Sequence, residues 1–238
     1  MTTVGRLVAF LLCALALPLH LIICMLIRFN DGHAAIYRCE RLGRAGIPYV
    51  LFKYRTMHVG CPPMVQSGFK AVVRKDDPRL TFLGRFLRCG IDELPQLWNI
   101  VRGEMAWIGP RPDESWMLPN YGPTSKERLM ITPGITGMAQ VLDSRNQPTA
   151  VGYAIDLWHK RHPNVLDDIW VICATPLFVL GWRSLGKQYL TNLMRVPEFT
   201  NLIFSCQAEL DDSERQAILR TERLNSDSRE QRNAAAIR

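Results

Sequence analysis

The chain has 238 residues, 47% of them hydrophobic and 21% charged, with a net charge of +7. That length and apolar content support one sizeable core with appendages and exclude a disordered chain, and no period supports a collagenous or repeat architecture. The tail from Gln207 onward carries slightly more acids than bases, so the basic body points to an anionic partner: a phosphorylated ligand, nucleic acid or an acidic membrane face.

The first element is apolar. Leu7 to Ile27 holds 21 residues without a formal charge between Arg6 and Arg28, and a helix of that length covers roughly 31 Å, the thickness of a hydrocarbon core. The run is too long for a signal-peptide core, and only His33-Ala34-Ala35 follows as a cleavage candidate, so cleavage is not expected. Pro18 sits at the centre and favours a kink. Read from the residues alone, the segment is a kinked span. The alternative is a re-entrant hairpin with both flanking arginines on one face, in which His20 helps to satisfy the freed carbonyls.

Residues 36–60 open as a basic, turn-rich stretch, and the alternation Tyr49 to Arg55 predicts a strand that projects Lys53 and Arg55 from one face. A polar turn region follows from His58 to Gly68, then a short basic helix over Arg79 to Arg88. Asp92 to Arg102 is the clearest helix, with Leu94, Leu97, Trp98 and Val101 as its apolar stripe and Gly103 as its cap. Met105 to Ile108 reads as a buried strand. Pro133 to Gly137 reads as a loop leading into a strand over Met138 to Leu142. Asp168 to Trp182 is apolar, contains Pro176 and is short for a span, which suits a buried or interfacial helix. A charged, solvated extension is expected at the end. The seven cysteines are scattered without a C-x-x-C pair, which fits a reducing environment rather than a disulfide framework or zinc site.

The chemistry-bearing residues cluster late. Asp92 and Glu93 at a helix start are in themselves capping acids. Set among Arg79, Arg85, Arg88, Arg102 and Arg111, they suit a site for phosphate esters, in which arginines grip phosphate oxygens and a carboxylate holds Mg²⁺. Arg111 stands between Pro110 and Pro112, a stiff mount for an anion clamp; its bland alternative is a surface turn paired with Glu114. The glycines of Pro133 to Gly137 either bring backbone N–H groups to phosphate or serve a turn. The five histidines show no metal spacing.

Four segments in order, Lys53-Tyr54-Arg55-Thr56-Met57, Asp92-Glu93-Leu94-Pro95-Gln96-Leu97-Trp98-Asn99, Gly109-Pro110-Arg111-Pro112 and Pro133-Gly134-Ile135-Thr136-Gly137, resemble those of the bacterial sugar transferases, the monotopic polyprenyl-phosphate phosphoglycosyl transferases. The resemblance implies transfer of a sugar-1-phosphate from a UDP-sugar to polyprenyl phosphate, with Asp92 as nucleophile, UMP as leaving group and a phosphosugar esterified to the enzyme between two ping-pong half-reactions. It also implies that Glu93, with Asp92, holds Mg²⁺. Arg111, Arg88, Lys53, Arg55 and Arg145 are its phosphate-binding residues. Asp143-Ser144-Arg145-Asn146 keeps the Arg-Asn of a family signal without its glycine.

The family prior turns the membrane segment toward re-entrance, although Leu17 stands where a serine is common. The expected fold is α+β: residues 1–30 form a re-entrant or spanning membrane helix. A mostly helical cytoplasmic catalytic domain with a small β element and interfacial helices follows over 31–186, then a charged extension over 187–238. The expected place is the bacterial inner membrane with the catalytic domain facing the cytoplasm. The expected partners are the UDP-sugar, polyprenyl phosphate and membrane lipid, with no nucleic acid and homo-oligomerisation left open. A catalytically silent membrane scaffold for glycan assembly is the alternative.

Overall fold

The computed structural model describes residues 2–61, 65–66, 70–71, 77–142, 148–182 and 185–212. They form an α+β arrangement, mostly helical, with three two-stranded sheets among the described residues. Helices α1 (Thr3–Leu15) and α2 (Leu17–Asp31) meet at a 58° bend around Ala16, where Pro18 offers no N–H to continue the helical ladder. Among the described residues no single helix is long and apolar enough to cross a membrane, although this bent pair is so by length and composition together.

Both halves of the pair rest on the rest of the chain. Arg6 Nε donates to the Val101 carbonyl at 2.8 Å and Trp107 Nε1 to the Gly5 carbonyl at 3.0 Å, while Ala9 is fully buried beside Leu97, Ile100 and Met105. In α2, Ile23 and Ile27 bury against Tyr54. His20 Nδ1 shares a 2.7 Å hydrogen bond with the Tyr54 hydroxyl, so this histidine serves the sheet rather than the carbonyls at the break. The outer faces keep Leu7, Leu11, Leu15, Leu21, Met25 and Phe29 exposed.

Strands β1 (Ile36–Leu42) and β2 (Pro48–Tyr54) pair antiparallel, from Ile36 opposite Tyr54 to Leu42 opposite Pro48. Tyr49 and Leu51 face inward, and Lys53 is next on that face, as alternation requires. Strands β3 (Val65–Gln66) and β4 (Lys70–Ala71) pair antiparallel. Helix α3 (Phe82–Leu87) is capped by Thr81, whose Oγ1 accepts from the Gly84 amide at 2.9 Å. It is shorter than the predicted basic helix. Glycine is required at 84, since a Cβ there would lie 2.0 Å from the Thr56 carbonyl oxygen.

The helix predicted from Asp92 opens instead as a 3-10 turn, Ile91–Glu93, and α4 proper runs Gln96–Arg102. Its buried stripe also differs: Leu97 and Ile100 are inside, while Trp98 is 47% exposed. Asn99 turns the helix, because it is wholly buried and hydrogen-bonds β2. Gly103 caps α4 in the left-handed conformation, as expected.

Strand β5 (Ala106–Ile108) pairs parallel with β6 (Gly134–Thr136), and Met138–Val141 is helix α6. The loop-then-strand reading of 133–142 is thus reversed. A run buried on all sides, as Met138–Val141 is, has no periodicity to separate helix from strand. Helices α5 (Pro123–Leu129), α7 (Thr149–Arg161) and α8 (Val165–Val179) surround it, followed by α9 (Leu185–Leu193) and α10 (197–212). Within the stretch expected as a charged extension, Leu190, Leu193, Phe199, Leu202, Cys206 and Leu210 belong to the main core. Glu209 there accepts from the Thr124 and Ser125 amides at 2.6 and 2.9 Å, tying α10 to the start of α5. Residues 213–238, and Arg145 with its neighbours, lie outside the described residues.

Candidate active site

The site forms where the end of β2, the 3-10 turn and the segment after β5 converge. Gly90 makes the approach possible: its φ of 106° lies in the left-handed region, which costs a glycine little, and it turns the chain sharply out of α3. Asp92 and Glu93 follow at once. Lys53 Nζ lies 2.8 Å from Glu93 Oε1, and Arg111 Nη2 lies 2.9 Å from the same oxygen. Lys53 and Glu93 are mostly buried, whereas the Arg111 side chain is 41% exposed and so can reach a ligand while still paired.

The two neighbouring carboxyls are driven apart electrostatically. Burial raises Glu93, but the charges and hydrogen bonds of Arg111 and Lys53 overcome it and hold this carboxyl well below the usual carboxylate range. Asp92 is only 8% exposed; burial pushes its carboxyl up, with Lys53, Arg88 and Arg111 opposing and the Glu93 charge adding to the rise. Burial also lowers the Lys53 ammonium, and Arg111 lowers it further, against Glu93. Among the described residues no side chain hydrogen-bonds the Asp92 carboxylate. Glu93 is therefore the committed structural anion. Asp92 is the more basic acid, with oxygens free for a ligand.

The cations expected around the acids sort into two sets. Lys53 and Arg111 contact Glu93, and Arg88, the C-cap of α3, acts on Asp92 by its charge. Arg79 pairs with Asp77 at 2.6 Å and Arg102 with Glu104 at 2.9 Å. Arg55 follows the last residue of β2, and its Nε donates to the Ala34 carbonyl at 2.7 Å, just before the start of β1. Glu114, the surface partner weighed for Arg111, pairs with Arg41 at 3.1 Å.

The glycine-rich 133–137 segment supplies close packing. The Gly109 amide donates to the Thr136 carbonyl and the Gly134 amide to the Pro110 carbonyl, both at 2.9 Å, and a Cβ on Gly134 would fall 2.1 Å from the Gly109 nitrogen. Those two amides are consumed by β5 and β6, which mount Arg111.

Asn99 is a supporting residue that sequence reasoning missed. Its Nδ2 donates to the Val50 carbonyl and to Glu104 Oε2, both at 2.7 Å, and its Oδ1 accepts from the Phe52 amide at 3.2 Å. It therefore fixes β2 one residue before Lys53. An amide next to Trp98 of the apolar stripe was its one sequence signal.

Two carboxylates are available for a cation. The Lys53 and Arg111 contacts of Glu93 both use Oε1, which leaves Oε2, and among the described residues no group of three or more His, Cys, Asp or Glu is placed to hold a metal. That donor set does not make an all-protein cage. It does fit a magnesium ion bound through one or two carboxylates and completed by substrate phosphates and water.

Comparisons with known proteins give the family. The family model described as bacterial sugar transferase matches residues 2–181. The exopolysaccharide production protein ExoY of Sinorhizobium fredii is 34% identical over 181 residues, covering 71% of this chain and 80% of that protein. The UDP-galactose-lipid carrier transferase of Erwinia amylovora is 34% identical over 179 residues, 70% of this chain but 37% of that protein. The UDP-glucose:undecaprenyl-phosphate glucose-1-phosphate transferase of Caulobacter vibrioides is 39% identical over 139 residues, 56% of this chain and 50% of that protein. The chain thus spans half or less of the latter two relatives.

Proposed function

The chain belongs to the bacterial sugar transferase family, and from that premise we propose that it transfers a sugar-1-phosphate from a UDP-sugar to polyprenyl phosphate by way of an ester on Asp92. The observation that carries the reading is the pairing of two unlike acids: a buried Asp92 with no hydrogen-bond partner among the described side chains, beside a Glu93 already neutralised by Lys53 and Arg111. The names of the relatives, which specify UDP-sugars, lipid carriers and undecaprenyl phosphate, set the substrate classes.

In the first half-reaction an Asp92 oxygen attacks the β-phosphorus of the donor. The bond from that phosphorus to the oxygen bridging the α-phosphorus breaks, and UMP departs with the electron pair. In the second, a phosphate oxygen of the lipid attacks the same phosphorus, the Asp92–phosphorus bond breaks and the carboxylate is restored. Arg111, exposed on one side, grips phosphate oxygens as charge moves between them. Arg88 and Lys53 offset the remaining negative charge. The raised basicity of Asp92, set by its burial, favours bond formation to phosphorus. Glu93, with Asp92, would hold Mg²⁺, which supplies charge neutralisation of the phosphates.

The lipid substrate requires the site to lie at a bilayer surface. Supporting this, both halves of the bent pair pack on the catalytic body, α1 through Gly5, Arg6 and Ala9 and α2 through His20, Ile23 and Ile27. A straight span would carry one end away from that body. The bent pair is thus read as re-entrant, with the body on the cytoplasmic face of the inner membrane, where UDP-sugars are made available.

The test is release of UMP from a panel of UDP-sugars, with polyprenyl phosphate, magnesium and the full-length chain in detergent or nanodiscs. At least one donor is expected to give release that Asp92→Asn abolishes; equal release by that variant would contradict the reading.

A further inference from the structure

Behind Arg111 lies a polar cluster that the proposed chemistry leaves without a role. Arg128, at the end of α5, is 5% exposed, and all three of its guanidinium nitrogens are engaged. Nε donates to Asp156 Oδ2 at 2.8 Å, Nη1 to Asp113 Oδ2 at 2.5 Å and Nη2 to the main-chain carbonyl of Arg111 at 2.7 Å. The guanidinium carbon stands 4.5 Å from the Tyr153 ring centre. Asp113 also accepts from the Tyr153 hydroxyl at 2.9 Å and from that of Tyr121. Burying an arginine is costly unless its partners are well placed, and here α7 supplies Asp156 and Tyr153 while the segment after β5 supplies Asp113 and the Arg111 carbonyl.

Three residues around Arg111 are already pinned by backbone. Gly109 donates to Thr136, Pro110 accepts from Gly134 and the Asp113 carbonyl accepts from Leu42 at 2.9 Å. The main-chain carbonyl of Arg111 itself is held instead by a charged side chain from another element, Arg128. We infer that Arg128 is a positioning residue for phosphate transfer, fixing the peptide of Arg111 so that its guanidinium meets Glu93 and the donor phosphates in one geometry. This rests on the function proposed above. A displacement of about 1 Å at a phosphate clamp can lower a rate on the order of a hundredfold.

Lysine keeps the charge at 128 but cannot serve three directions at once, so Arg128→Lys separates positioning from charge. The experiment is a cycle of wild type, Arg128→Lys, Arg111→Ala and the double variant, reading kcat and donor KM for UMP release. Positioning predicts that Arg128→Lys lowers kcat about tenfold or more with KM within about threefold, and that it adds no loss once Arg111 is alanine, because coupled residues are not additive. A structural role alone would give the same fold-loss in both backgrounds. That result, or a wild-type kcat for Arg128→Lys, would overturn the inference. Should Arg128→Lys not fold, Tyr153→Phe enters the same cycle and is judged by the same coupling to Arg111. A wild-type chain that releases no UMP from any donor would fail at the level of the proposed function, and the inference would fall with it.

Discussion

Lys53 and Arg111, 58 positions apart in the chain, donate to one and the same oxygen, Glu93 Oε1, at 2.8 and 2.9 Å. The lysine comes from the hairpin and the arginine from the turn after β5, so Glu93 is the point at which two separate parts of the molecule are joined. Glu93→Gln keeps the shape but leaves two cations facing each other. UMP release should fall about a hundredfold, checked by initial rates at saturating donor.

The same geometry gives Asp92 and Glu93 opposite effects on folding. Glu93 has a depressed folded pKa, so its stabilisation is present above the unfolded value near about 4.3 and is lost as pH falls through the lower folded value. Asp92 has a raised folded pKa, so stability is greatest below its unfolded value and declines as pH rises through the folded one. At pH 7, Glu93→Gln should lower the Tm and Asp92→Asn should raise it. The gain from Asp92→Asn should vanish at pH values below about 4, where the native carboxyl is protonated in both states. Thermal unfolding across that range checks both signs.

Arg111→Lys should not rescue Arg111→Ala. A lysine can supply charge, but not the planar fork that bridges a carboxylate and a phosphate together. Both variants are expected to lose about a hundredfold or more in kcat/KM, and comparison of the two decides between charge and shape.

Asn99→Ala should destabilise the protein by about 1–3 kcal/mol by leaving the Val50 carbonyl, the Phe52 amide and Glu104 without their partner in a fully buried place. Denaturant melts measure it. The activity loss should exceed that expected from the unfolded fraction, because β2 carries Lys53.

Phe199→Ala tests the status of the final helices. Phe199 is wholly buried and meets Trp158 edge-on at 5.7 Å, so its truncation should cost about 3–5 kcal/mol, as a core aromatic does. A surface appendage would lose almost nothing.

Much of the candidate site was legible because its chemistry sits in short contiguous stretches. Asp92 and Glu93 adjoin, Arg111 is framed by prolines, and the alternation of β2 places Lys53 on the inward face. What escaped is what distant segments do to one another. The buried Asn99 was hidden by a stripe that favoured Trp98, and Arg128 meets Asp113 and Asp156 only after α5 and α7 pack. The strand at Gly134–Thr136 was masked by glycines whose purpose, close approach to Gly109, exists only in the paired sheet. Residues beyond 187 read as charged because their apolar positions, Leu190, Phe199 and Cys206 among them, are widely spaced. The bond from Arg55 to the Ala34 carbonyl likewise joins two segments that the sequence keeps apart.

Intact-mass spectrometry of the full chain, quenched in acid after incubation with UDP-sugar and magnesium but without lipid acceptor, reads the ester on Asp92 directly. A mass increase equal to one sugar phosphate, absent from Asp92→Asn and discharged on adding polyprenyl phosphate, is the predicted result. An unchanged mass in a preparation that still turns over with acceptor present would contradict it.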